Sequence, residues 1–339
     1  MVPINHVTGA LSWLGRQGTG AVAALVIIGI AAPPLGKLCK PLVTESIFVL
    51  LCFAFMRVDM VAFRAYLKRP GLVLAATAWT SVLVPLVFAA GCLGLGLPAQ
   101  SPHLFLALML QAIASPIMAA PAFASLIGLD AALVLATLIT STAIIPLTAP
   151  LFASLFLGPA LSLAPLALGL KLSAILAGSA LVGFIARRVF GLAAIERRAD
   201  AINGGNIIFL FIFVAAIMEN VADRFLAAPL FTLSLIVLAF AIYLTVLLLS
   251  VLIFWRTGRE RALALGFLSS QRNMGLMLAA TGGALPELTW LYFALAQFPI
   301  YLGPYLLQPL ARRLLERGRH SRHQPKPPPQ DPGNVARKN

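Results

Sequence analysis

Five polar residues in a row, Ser269, Ser270, Gln271, Arg272 and Asn273, interrupt the apolar run ALALGFLSSQRNMGLMLAATGG. Arg272 stands midway along it. A guanidinium in apolar surroundings costs several kcal/mol unless an anion, a carboxylate or aimed carbonyls answer it. Such a residue is a candidate for recognising an ion; in a purely structural ion pair, Glu219 or Glu45 would be its partner. Gly266 and Gly275 flank the cluster and permit close helix approach or local unwinding. A second apolar run, LFLALMLQAIASPIMAAPAFASLIG, contains Pro116 and Pro121, with Gln111, Ser115 and Ser125 nearby to supply polar contacts. Each proline removes an amide donor and crowds the preceding turn, so an unbroken helix is not expected there.

Other chemistries lack their residues. Cys39, Cys52 and Cys92 show no CxxC or CxxxC spacing, which excludes a disulfide framework or structural zinc site. His6, His103, His320 and His323 all fall outside the apolar runs, and Asp59, Asp130, Asp200 and Asp223 fall at run ends. Intramembrane proteolysis by Ser/His or paired Asp therefore has no machinery, and no His/Asp/Glu cluster suggests a metal. An enzyme, a cofactor and a resident metal are not expected.

The elements that must position Arg272 follow from composition. Of 339 residues, 60% are apolar and 11% charged, with mean hydropathy +0.95. Residues 71–129, 131–170 and 225–255 carry no Asp, Glu, Lys or Arg. As one helix the first run would be about 88 Å long, against a hydrocarbon core of about 30 Å, so it must fold back. The chain reads as an all-α polytopic membrane protein without a signal peptide. Ten spans are expected, near 18–36, 42–56, 72–95, 104–127, 131–157, 167–186, 204–222, 229–254, 262–283 and 287–310.

The net charge of +14 first suggests nucleic acid, but its distribution removes that motive. With both termini cytoplasmic, twenty of the twenty-five basic residues lie inside and only Lys37, Lys40, Lys171 and Arg224 lie outside or at an outer edge. That bias obeys the positive-inside rule and predicts a multi-pass protein of the plasma (inner) membrane. Four segments are expected: a cytoplasmic stretch 1–17, five-helix units over 18–157 and 158–311, and a basic, disordered cytoplasmic tail 312–339. IFVLLCFAFM (47–56) matches IFLFIFVAAIM (208–218) with one insertion, at an offset of about 160 residues. Five spans per unit is odd, so the second unit would be inserted inverted.

The segment FMRVDMVAFRAYLKRPGLVL (55–74), the junction LIGLDAALVLATLITSTAIIPLTAPL (126–151) and the polar centre SSQRNMGL (269–276) together resemble the bile acid:sodium symporter superfamily, over nearly the whole chain. The resemblance implies two inverted five-helix repeats in which spans 4 and 9 unwind and cross. Spans 3–5 and 8–10 would form a core, spans 1, 2, 6 and 7 a panel, and substrate would bind between them.

Sodium-coupled members ligate the ion with a Ser-Asn pair at the span 4 break and a Glu followed by Gln-Asn in span 9. Here the Ser-Asn position falls on Ala120-Pro121 in one register and on Ser115-Pro116 in the other. Leu268 stands for the Glu and Arg272 for the Gln, and only Asn273 matches. Losing an anionic ligand and gaining a cation disfavours bound sodium. The expectation is a secondary transporter of a small organic anion, working between core and panel, with Arg272 in place of the coupling cation. It would be a uniporter, an exchanger or proton-coupled. A membrane channel or regulatory membrane scaffold with a structural Arg272 ion pair is the alternative; it predicts no saturable, exchangeable flux.

Overall fold

The computed structural model describes residues 2–17, 27–67, 70–158, 161 and 163–322. Among them the chain is helical, with one isolated bridge as its only β pairing. In chain order the principal helices are α1 (Val2–Arg16), α2 (Pro33–Met56), α3 (Pro70–Gly94), α4a (Pro102–Ile113), α4b (Ala120–Ile127), α5 (Ala131–Leu157), α6 (Pro165–Phe190), α7 (Ala199–Ala227), α8 (Pro229–Thr257), α9a (Arg259–Ser270), α9b (Met274–Thr281), α10a (Glu287–Leu295) and α10b (Gln297–Arg322). Six of them, α2, α3, α5, α6, α7 and α8, are long and apolar enough to cross a membrane. Leu166, Leu170 and Leu181 of α6 and Leu230, Leu244 and Leu252 of α8 stand exposed. Apolar length with an apolar outer face suggests a membrane-embedded protein.

Prolines open many of these helices because the first turn has no use for their missing N–H. Pro33, Pro102, Pro165 and Pro229 all sit there. The half-helices α4b and α9b both end at a glycine in the left-handed conformation, Gly128 and Gly282. Asp130 then caps α5, accepting a hydrogen bond from the Leu133 amide at 2.9 Å.

Packing divides by partner: α1 and α2 lie on α7, α6 on α2, α3 on α5, α8 on α9a, and α10a on α4a. The α1–α7 seam is built on glycine. A Cβ on Gly15 would collide with the Asp200 carbonyl, and one on Gly204 with the Leu11 carbonyl. Because Leu11 meets Gly204 and Gly15 meets Asp200, α1 runs antiparallel to α7, while Gly29, outside α1, faces Ala215 and Met218.

The first span was expected over 18–36, of which 18–26 lie outside the described residues; the stretch before it, expected only as a cytoplasmic segment, forms α1, held along α7. The expected disordered tail 312–339 is helical as far as Arg322, because ARRLLER continues the α10b helix with strong helix formers. Residues 323–339 lie outside the described part.

Candidate functional site

The two proline- and polar-interrupted runs are broken where their sequences suggest, and the breaks meet. After α4a the backbone turns extended at Ala114 (ψ 149°), and after α9a at Gln271 (ψ 95°). The strands so formed pair antiparallel around Pro116 and Arg272. The Ile117 amide donates to the Gln271 carbonyl at 3.0 Å and the Asn273 amide to the Ser115 carbonyl at 2.7 Å. Pro116 occupies the position between those two bonds, where a ladder requires no N–H. Pro121 plays a different part from the helix break expected of it: it lies in the first turn of α4b, where it starts a helix.

Arg272 is 3% exposed. Its Nη1 donates to the Ala114 carbonyl at the α4 break and to the Thr80 carbonyl of α3, each at 3.0 Å. Its Nη2 has no hydrogen-bond partner, and neither does the neighbouring Ser115 hydroxyl. Among the described residues Arg272 makes no ion pair. The carboxylates proposed for it are elsewhere: Glu219 pairs with Lys40 at 2.8 Å, and Glu45 is exposed. Glu219 lies in the second half of α7, toward the opposite end from Asp200, on the void lined by Lys40 and Trp290 rather than at the crossing.

The other expected site residues divide. Asn273 caps α9b, its Oδ1 accepting from the Leu276 amide at 3.0 Å. Ser269 meets the Thr80 hydroxyl at 3.0 Å, while Ser270 bonds back to the Phe267 carbonyl of its own helix. Gln271 is buried, with Nε2 at 3.4 Å from both the Tyr243 hydroxyl and the Ile300 carbonyl and Oε1 unpartnered. Gln111 accepts from the Tyr292 hydroxyl at 2.6 Å and serves packing between α4a and α10a. Gly275 lets α9b approach α2 and α7, with Ile47 and Phe213 against its missing side chain.

A cavity of about 840 Å³ ends on this crossing. Arg272, Asn273 and Gly275 line its floor, Phe53, Leu210 and Phe213 one wall, and Met118 and Phe123 another. It runs to the end of the molecule where Arg57, Asp59 and Asn203 stand. There Arg57 joins α2 to α7, donating to the Asn203 side chain at 2.6 Å and the Ala199 carbonyl at 3.2 Å. No protein-family model matches this chain, and no curated protein matches it.

At the other end charged side chains close over the helices. Lys40 pairs with Glu219 and lies 5.4 Å from the centre of the Trp290 ring, and Arg224 pairs with Glu287. These residues surround a small void of about 240 Å³. On the cavity-mouth side, the phenol of Tyr66, in the short helix Met60–Leu67, donates to Asp130. This bond joins two of the sequence segments singled out above. Burial, then Asp130, push the Tyr66 phenol up to about 12, so it remains a donor throughout the physiological range.

Thr80, Tyr292 and Lys40 were not among the expected site residues. A proline five positions after Thr80, inside an apolar run, was the available signal for the first.

Proposed function

We propose that this chain is a secondary transporter of a small organic anion, working by alternating access. In this reading ten transmembrane helices form two inverted five-helix repeats, over 18–157 and 158–311. Spans 3–5 and 8–10 make the core, and spans 1, 2, 6 and 7 the panel, with the first span over 18–36. Both termini are cytoplasmic in a plasma (inner) membrane, so the cavity mouth at Arg57 and Asn203 faces the cytoplasm and the Lys40–Trp290 end faces out.

One observation carries the proposal. A dehydrated guanidinium, tied to two backbone carbonyls and answered by no carboxylate among the described residues, underlies an apolar cavity large enough for an organic solute. A protein designed only to be stable would neutralise such a charge or dispense with it, because an unpaired buried charge costs several kcal/mol. At 3% exposure Arg272 acts on the cavity mainly through its field, undiluted by water. The amino ends of α4b and α9b add positive potential at the same place. The built-in cation supports transport without sodium.

Counterflow in proteoliposomes tests this. Vesicles preloaded with a panel of monocarboxylates and amphipathic anions should show saturable exchange that persists when potassium replaces sodium. Arg272→Gln should abolish exchange while the variant still purifies as a folded protein. Strict sodium dependence, or full exchange by Arg272→Gln, would sink the proposal.

A further inference from the structure

The Thr80 carbonyl lies within α3, where an ordinary helix would already engage it with a main-chain N–H. In an α-helix it would accept from the Val84 amide. Here residues Trp79–Leu83 form a π-turn, and the Val84 amide bonds to the Trp79 carbonyl instead. Continuing in that wider register, the next donor for Thr80 would be residue 85. That residue is Pro85, which has no N–H. The shifted register takes away one donor and the proline takes away its replacement. Arg272 Nη1 occupies the vacated place at 3.0 Å.

The turn is anchored on both sides. Trp79 Nε1 donates to the Ser250 hydroxyl of α8 at 2.7 Å, and the Thr80 hydroxyl meets Ser269 of α9a at 3.0 Å. Trp79 and Thr80 are both buried. The same turn therefore presents a carbonyl to Arg272 and grips the helix from which Arg272 departs. π-turns inside α-helices frequently mark functional sites.

We infer that Pro85, through the π-turn before it, is a positioning residue for Arg272. It keeps the Thr80 carbonyl out of the α3 ladder so that one guanidinium nitrogen is fixed between α3 and the α4 break. The other nitrogen, Nη2, is left without a protein partner. This inference rests on the reading of Arg272 as the group that addresses the anion, and it assigns α3 a part in that work.

Pro85→Ala restores the missing N–H and tests the inference in two independent ways. A cryo-EM map of the variant should show the Thr80 carbonyl back in the helical ladder and Arg272 Nη1 moved off it. Anion exchange should fall by about tenfold, the worth of one hydrogen bond to a charged group, with thermal stability equal to or above wild type. In an Arg272→Gln background Pro85→Ala should change any residual flux no further. Trp79→Phe, which removes the anchor on Ser250 but keeps an aromatic ring, should act in the same direction and serves if Pro85→Ala does not fold. The inference is overturned if the map retains the Arg272–Thr80 bond, or if exchange is at the wild-type level. Equal fractional losses in both backgrounds would overturn it too. If the map shows Arg272 released but the wild-type protein exchanges no anion, the transport reading fails and the positioning role stands.

Discussion

At the scale of the residue, Arg272 matters for the shape of its headgroup as well as its charge. One nitrogen spans the Ala114 and Thr80 carbonyls while the second has no protein partner, a division that a planar guanidinium supports. An ammonium offers a single, strongly hydrated centre. Arg272→Lys should therefore keep the local positive charge yet lose most exchange activity, with a raised KM for the anion in the counterflow assay. Retention of wild-type KM by the lysine variant would show that net charge alone suffices. Arg272 and its polar neighbours were legible in the sequence because a cation in an apolar run is conspicuous. The Thr80 carbonyl was not, since every residue has one. Its release depends on a register shift and on Pro85 at one specific distance.

At the scale of the element, the breaks in α4 and α9 were legible from Pro116 and from the polar run, and the half-helices lie on either side of them as expected. Their pairing through main-chain bonds was not, because it depends on where two segments more than a hundred residues apart come to rest. Pro121 illustrates the same limit. A proline that begins a helix and one that interrupts it look alike until the neighbouring backbone is known. The crossing also depends on Gly275, where α9b touches α2 and α7. A Cβ there would lie 2.6 Å from the Ile47 terminal methyl, which can swing aside, but a longer side chain would also meet Phe213. Gly275→Ala should be tolerated, whereas Gly275→Leu should destabilise by about 1–3 kcal/mol, read as a lower melting temperature in detergent. Equal melting of the two variants would mean that the seam is looser than it looks. Helix α1 was not legible for a related reason. Gly9 and Gly15 dilute the apolar signal of α1, and Gly15 is what lets it press against α7.

At the scale of the whole molecule, the cavity reaches one end only. The other is crossed by Lys40 with Glu219 and Trp290, and by Arg224 with Glu287. Glu219, one of the two partners open to a purely structural Arg272, is paired with Lys40 instead: both residues are ionisable and apolar-flanked, but only the fold shows that Glu219 belongs to the far end. Because Lys40 on α2 contacts Trp290 on α10a, and Arg224 on α7 pairs with Glu287 on α10a, these contacts join the two sets of helices proposed to move. Exposed pairs are weak, up to about 1 kcal/mol each, which suits contacts that break in every cycle. A Lys40→Gln, Glu287→Gln variant should populate the outward-open form more. With Cys39, Cys52 and Cys92 replaced, an Ile217→Cys reporter lining the small void should react several-fold faster with a membrane-impermeant maleimide. An unchanged labelling rate would remove these pairs from the cycle.

The tethering of Arg272 also bears on what a carrier of the proposed kind can be made to do. A dissolved cation that binds, crosses and departs brings its own gradient into the cycle; a guanidinium fixed to the chain is never released and brings none. Net movement of a monovalent anion then depends on its own concentrations and on voltage, about 2.3 kcal/mol per 100 mV for each charge carried. Across an inside-negative membrane that term favours exit. If no proton accompanies the solute, the architecture around Arg272 is suited to export or to one-for-one exchange, and poorly suited to accumulation.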